Sequence, residues 1–295
     1  MRYLDPVVLA RLKNLKFDLR RHIVEGHLTG RHSSARRGFS QEFAEHRTYV
    51  PGDEVKHIDW KVYARKDRFF IKEFQEEKSL KTYLMLDASG SMGYRGAGPE
   101  PKWELACRLS MCMAYLVLAR GDAAGLLTFD TGRRDFLPPR QRLAHLELMD
   151  GVLDRTRPGG ETDLGRVLRR IVGSIPRRSL IVIVSDLLGD AKRILETVKA
   201  FQARKHRILV MQVLDPTERD LDLDGPVLFE AMEGDGTLRC EAALLRRAYR
   251  EAFERQQRLY QASFHGSGIH YCVFYTDAPW DPTLARFLAR QRAIG

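Results

Sequence analysis

Leu180-Ile-Val-Ile-Val184 is an unbroken aliphatic run closed by Ser185-Asp186. So short a run, β-branched and without polar alternation, has the profile of a strand covered on both faces in the middle of a parallel sheet. Tyr83-Leu-Met-Leu86, closed by Asp87, repeats the arrangement, and Ile208–Leu214 and His270–Tyr275 supply further strands. Segments of helical period lie between and around them: Lys102–Ala119, Arg140–Leu153, Thr162 or Asp163 to Ser174, Ala191–Lys205, Glu241–Phe264 and Pro282–Gln291. Parallel neighbours need a crossover, usually a helix, so this alternation predicts an α/β fold with a doubly wound, mostly parallel sheet. Ala124–Phe129 has a short strand partner in Arg134–Leu137, and Gly234-Asp-Gly236 signals a hairpin between Val227–Ala231 and Thr237–Cys240.

The chain divides near residue 80, into a basic, irregular leader over 1–79 and the α/β domain over 80–295. In the leader, Val8, Leu12, Leu15, Leu19 and Ile23 have helical spacing, Gly26–Gly38 reads as a loop, Pro51-Gly-Asp53 as a turn and Arg68–Phe74 as a strand. The leader is expected to form a helix-plus-strand extension or a small β-subdomain beside the sheet.

Several function classes fall away. The longest apolar stretch, Leu105 to Leu118, is shorter than the roughly 18 residues a membrane span needs, and the N-terminus lacks a signal-peptide core. These features predict a cytoplasmic protein. Cys107, Cys112, Cys240 and Cys272 have no metal-binding or redox spacing, which argues against thiol catalysis. The net charge of +10 permits anionic partners. However, the arginine pairs (among them Arg20-Arg21, Arg169-Arg170 and Arg246-Arg247) are scattered rather than interleaved with aromatics on one element, which argues against nucleic acid. His22, His27 and His32 recur at a spacing that suits no helical metal pair.

The chemistry-bearing residues sit where strands stop. Asp87-Ala-Ser89-Gly-Ser91 places a carboxylate and two hydroxyls at alternate positions just past a strand, where they can converge. Hard oxygen donors of this kind suit Mg²⁺, with Mn²⁺ or Ca²⁺ as alternatives. Helix capping by Asp and Ser is the competing reading of the motif by itself. Two further loops add donors: Thr162, in Gly159-Gly-Glu-Thr-Asp163, and Asp186, after the aliphatic strand. Each is also a credible cap, but the three loops together favour a common site at the carboxyl ends of the strands, where open α/β sheets bind ligands.

On these residues the chain resembles the von Willebrand factor A-type domain with its metal-ion-dependent adhesion site. The match covers Leu80 to the C-terminus and places Asp87, Ser89, Ser91, Thr162 and Asp186 at the five metal-site positions. The resemblance implies that the serines ligate the cation directly, that the threonine does so directly or through water, and that the aspartates act largely through water. A carboxylate from a protein partner would complete the sphere. The insertion Gly93–Pro101 lengthens the first loop.

The leader carries a narrower signature: Glu42-Phe43, Arg47-x-Tyr49-x-Pro51-Gly52-Asp53, His57-x-Asp59-Trp60 and Ala64-Arg65. It resembles the segment preceding the A-type domain in the bacterial "domain of unknown function 58" family. That resemblance implies a MoxR-type AAA+ ATPase as partner in chaperone-like assembly or activation of protein complexes. Structural roles compete for the signature residues: a turn at Pro51-Gly52, capping by Asp59, a buried Trp60, and a buried ion-pair network of Arg47, Asp53, Asp59 and Arg65. The expected activity is therefore a metal-dependent interaction module rather than an enzyme. The alternative is a metal-dependent phosphoester hydrolase using Asp87. Against it, Ser89 stands where a haloacid-dehalogenase-type phosphatase needs a second acid, and no phosphate-cradling P-loop spacing occurs.

Overall fold

The computed structural model describes residues 1–13, 43–51, 53, 55, 58–74, 79–160, 164–223, 225–231 and 236–290. They fall into two compact units, one drawn from Met1–His27 and Leu80–Gly295, the other from Leu28–Ser79. The chain opens with helix α1 (Pro6–Lys13), the described part of the helix expected to run to Ile23. Its Val8 and Leu12, with Tyr3, are buried in the core of the larger unit, and Asp150 accepts from the backbone N–H of Arg2 and of Tyr3. The first turns of the leader thus belong with the sheet domain, because three apolar side chains have a core there to enter.

The smaller unit holds strand β1 (Phe43–Thr48), helix α2 (Trp60–Lys66) and strand β2 (Phe70–Phe74), with β1 and β2 antiparallel and Thr48 opposite Phe70. Asp53 closes the expected turn, its N–H donating to Val50 O and its carboxylate accepting from Val50 N. Asp59 caps α2 by accepting from the N–H of Lys61 and Val62, as a residue of that type just before a helix should. Trp60 corrects the expectation of burial: it is 57% exposed, and packs edge-on against Tyr63 and Phe69. Arg65 corrects it too. It is exposed in the last turn of α2, where a cation suits the helix dipole, and joins no buried network. Tyr49 lies edge-on to Phe69, while the side chain of Arg47 falls outside the described residues.

The larger unit is a three-layer α/β sandwich. Its strands are β3 (Lys81–Asp87), β4 (Ala123–Phe129), β5 (Arg133–Arg140), β6 (Leu180–Ser185), β7 (Arg207–Leu214) and, after the separate antiparallel pair β8 (Pro226–Glu230) and β9 (Thr237–Glu241), β10 (His270–Tyr275). The six-stranded sheet has the order β10-β7-β6-β3-β4-β5 and is parallel except for β5. The helices are α3 (Lys102–Leu118), α4 (His145–Arg155), α5 (Leu164–Val172), α6 (Ala191–Ala203), the short α7 (Pro216–Asp220), α8 (Ala242–Gly266) and α9 (Trp280–Arg290).

Strand alternation sorts the core into two faces. Leu84, Leu86, Val182, Val184, Leu209 and Met211 point to the side of α1, α3, α4 and α9. Tyr83, Met85, Ile181, Ile183, Ile208 and Val210 point to the side of α5, α6 and α8. Helix α3 is apolar nearly all round, as a helix buried beneath others must be, and takes Cys107 and Cys112 into the core. The helix expected from Arg140 starts instead at His145, because Arg133–Arg140 continues as the antiparallel edge strand. Pro138 and Pro139 lie in that edge strand where its register against β4 shifts, between Ala124 and Leu126, so the missing N–H groups fall at an irregularity of the ladder.

The chain winds from β3 outward through β4 and β5, then returns to the other side of β3 to lay down β6, β7 and β10. The winding therefore reverses between β3 and β6. Their carboxyl ends, Asp87 and Ser185-Asp186, stand side by side at the switch point.

Candidate functional site

The register pairs Leu86 with Val184, so Asp87 leaves β3 level with Ser185 on β6. Ser185 Oγ donates to Asp87 Oδ2 at 2.7 Å and accepts from Leu187 N at 2.9 Å. The other carboxylate oxygen, Oδ1, accepts from Ser89 N at 3.0 Å and bends the chain into the 3₁₀ turn Gly90–Gly93. That turn brings Ser91 back beside Ser89, with their hydroxyl oxygens 3.1 Å apart. Asp87, Ser89, Ser91 and Asp186 are all buried. The Asp87 loop and the end of β6 thus stand together on the rim, joined through Ser185 and with Asp186 near enough to act on Asp87.

Thr162 lies outside the described residues. Two positions before it, Gly160 O accepts from Gly90 N at 2.9 Å, and Gly159 N donates to Ala88 O at 3.0 Å. The glycine loop that leads to Thr162 is therefore stitched to the loop of Asp87. Gly160 has φ +79°, a left-handed conformation that glycine adopts without a Cβ penalty.

Burial pushes the Asp87 carboxyl up to about 7, and the nearby Asp186 pushes the same way, while hydrogen bonds from Ser185 and Ser89 only partly oppose them. Among the described residues no three His, Cys, Asp or Glu side chains form a metal cage. What the rim offers a hard dication is a mixed set: the Asp87 and Asp186 carboxylates and the Ser89 and Ser91 hydroxyls. Those donor types fit Mg²⁺ or Mn²⁺, and two carboxylates forced together out of water are the setting in which a cation lowers the energy.

Lys102 is the residue beside the candidate site that sequence reasoning missed. It opens α3 with a fully buried side chain, and its ammonium is 2.7 Å from Asp186 Oδ2 and 2.6 Å from Glu218 Oε1. Burial lowers its pKa, and the two carboxylates more than offset that, leaving the ammonium raised above the ordinary lysine value. Glu218 is aimed by a capping box: Asp215 N donates to its Oε2 at 2.7 Å, which turns Oε1 toward Lys102. The signal was present in the sequence, since a lysine at a helix N-terminus runs against the helix dipole and calls for an acidic partner.

The insertion Gly93–Pro101 is held just as firmly. Asp215, at the end of β7, accepts from the backbone N–H of Gly96, Ala97 and Gly98 and from Thr276 Oγ1. The lengthened loop thereby lies across the ends of β7 and β10. At Gly96 and Gly98 a Cβ would overlap Thr217, Asp215 or Thr276, so both positions need glycine for close approach.

A three-layer α/β unit whose mostly parallel sheet reverses at a cluster of Asp and Ser residues has the architecture expected of a von Willebrand factor A-like fold. The family described as "Protein of unknown function DUF58" matches residues 45–262, and the chain belongs to it. It is 28% identical to uncharacterized protein Mb1516 of Mycobacterium bovis over 295 residues, covering 98% of this chain and 91% of that one. It is 24% identical to uncharacterized protein YeaD of Bacillus subtilis, over 51% of this chain and 36% of that one. Among solved structures it is similar to conserved hypothetical protein BatB from Bacteroides thetaiotaomicron, at 13% identity and a TM-score of 0.45, over 73% of this chain and 100% of that one. It is also similar to the SpRpn10 VWA domain, at 12% identity and a TM-score of 0.39, over 74% and 96% of the two chains. Among the described residues no helix is long and apolar enough to cross a membrane.

Proposed function

We propose that the protein is a metal-dependent protein-interaction module. In this reading the rim of β3 and β6 holds Mg²⁺, and the ion receives a carboxylate from a protein partner. The observation that carries it is the convergence of Asp87, Asp186, Ser89 and Ser91 at the switch point of the sheet. A bound dication supplies an electrophilic centre for an Asp or Glu side chain. The protein's own residues do the rest: Ser89 and Ser91 present neutral hydroxyls that leave the ion's charge uncancelled, and Asp87 and Asp186 hold their surroundings from behind.

Beside the site, a recess of about 240 Å³ lined by Leu164, Gly165, Leu188, Gly189, Asp190, Arg193 and Ile194 offers room for the side chains that flank such a carboxylate. The site needs no general acid or base to do this work. Binding is the activity.

The partner we propose is a MoxR-type AAA+ ATPase, with the pair acting in chaperone-like assembly or activation of protein complexes. The support is the leader signature, which includes the capping Asp59, the exposed Trp60 and the turn at Asp53. The test is thermal denaturation and ATPase pull-down in Mg²⁺ and in EDTA, with the wild type and Asp87→Ala. Mg²⁺ should raise the wild-type melting temperature and retain the ATPase, and Asp87→Ala should lose both. Turnover of a generic phosphoester that disappears with Asp87→Ala would replace this reading with hydrolysis.

A further inference from the structure

We propose that Lys102 is a positioning residue that sets the charge of the rim, holding Asp186 and cancelling one of the buried negative charges so that a bound dication keeps positive charge for an incoming carboxylate. This rests on the metal-dependent reading above and goes beyond it by naming what tunes the site. The five positions of the metal motif do not include Lys102 or Glu218.

The geometry is specific. Asp186 divides its carboxylate, Oδ1 accepting from Leu188 N at 3.1 Å and Oδ2 from the Lys102 ammonium at 2.7 Å. Glu218 is likewise fixed at both oxygens, by Asp215 N and by Lys102. A Lys side chain buried without its partners would be strongly destabilising, so the pairing with both acids is what lets this one stay charged inside the fold. The bridge also runs outward: Glu218 belongs to α7, whose capping Asp215 anchors the Gly93–Pro101 insertion. The ion site, the insertion and the end of β7 are thus joined through one ammonium group.

This arrangement makes a crossed prediction, because one unit of charge acts oppositely on a cation and on the anion that binds it. Glu218→Gln removes a negative charge while keeping an acceptor for Asp215 N. It should weaken Mn²⁺ binding about tenfold and strengthen acetate binding to the Mn²⁺-loaded protein. Lys102→Met should do the reverse, and the double variant, which restores the charge balance, should return both affinities close to wild type.

Mn²⁺ affinity is read from the electron paramagnetic resonance of the free ion, and acetate affinity from water-proton relaxation of the Mn²⁺-loaded protein. If the two affinities fall together in Glu218→Gln, or Mn²⁺ binding stays within about twofold of wild type, Lys102 and Glu218 are structural only and the proposal is wrong. Glu218→Gln decides between these outcomes even where Lys102→Met does not fold. Failure of the wild type to bind Mn²⁺ is a different result, and overturns the metal reading itself.

Discussion

Asp87→Asn tests the electrostatics of the site most directly, because it changes charge at nearly constant shape. Burial and Asp186 lift the Asp87 carboxyl from 3.8 to about 7. An acid raised in the folded state contributes its full stability below its unfolded pKa and loses it as pH rises through the folded value. At pH 8 the ionised Asp87 therefore costs a few kcal/mol, since each tenfold change in proton affinity is worth about 1.36 kcal/mol. Asparagine removes that cost. It keeps an acceptor for Ser89 N but puts an amide N–H₂ opposite the Ser185 hydroxyl, which already accepts from Leu187 N, at a cost of about 1–2 kcal/mol.

The net expectation is that Asp87→Asn stabilises the metal-free protein by about 2 kcal/mol at pH 8. The sign should reverse near pH 4, where the wild-type carboxyl is itself protonated and only the penalty at Ser185 remains, leaving the variant about 1 kcal/mol less stable than wild type. Urea denaturation in EDTA at both pH values measures this. Added Mg²⁺ should then stabilise the wild type and leave the variant unmoved. A variant less stable than wild type at pH 8 in EDTA would refute the reasoning, since the hydrogen bonds to the carboxylate would then outweigh its desolvation.

Three further expectations concern the surroundings of the site and the smaller unit. Gly98→Ala places a Cβ against Thr276 Oγ1 and Asp215 Oδ2, and should cost about 1–3 kcal/mol in urea denaturation while opening the Gly93–Pro101 loop to proteolysis. Cys107 and Cys112 are buried, burial pushing both thiols up (Cys112 to about 12), so mass spectrometry after thiol labelling of the native protein should find modification at Cys240 first and none at these two. Asp59→Ala removes the cap of α2 and should destabilise the smaller unit by about 1 kcal/mol, read as faster amide exchange across β1 and β2.

Leu180–Val184 and Tyr83–Leu86 announced central strands because only a doubly covered strand is apolar at every position, and both are buried throughout. The acid and hydroxyl residues that close them were legible for the same reason: a polar side chain directly after such a run has to emerge at the sheet's rim. The edge strand was legible only in part. Arg133–Arg140 is half-exposed and alternates weakly, so its length was set by pairing with β4 rather than by its own pattern. Trp60 misled because aromatic size favours burial on average, whereas its exposure depends on how the small unit's rings pack together.

By itself, then, the order of apolar runs and strand-end oxygens determined the layered α/β architecture and which carboxylates and hydroxyls would stand at its rim. Both follow from local periodicity and from the direction in which a parallel strand delivers its last residue. Tertiary structure alone decided that Lys102 would join Asp186 to Glu218, and that Asp215 would fasten the insertion. Those partners are separated by 84, 116 and more than 100 positions along the chain. A contact between residues so distant leaves no periodic trace, because it exists only once the sheet has set the ends of β3, β6 and β7 side by side.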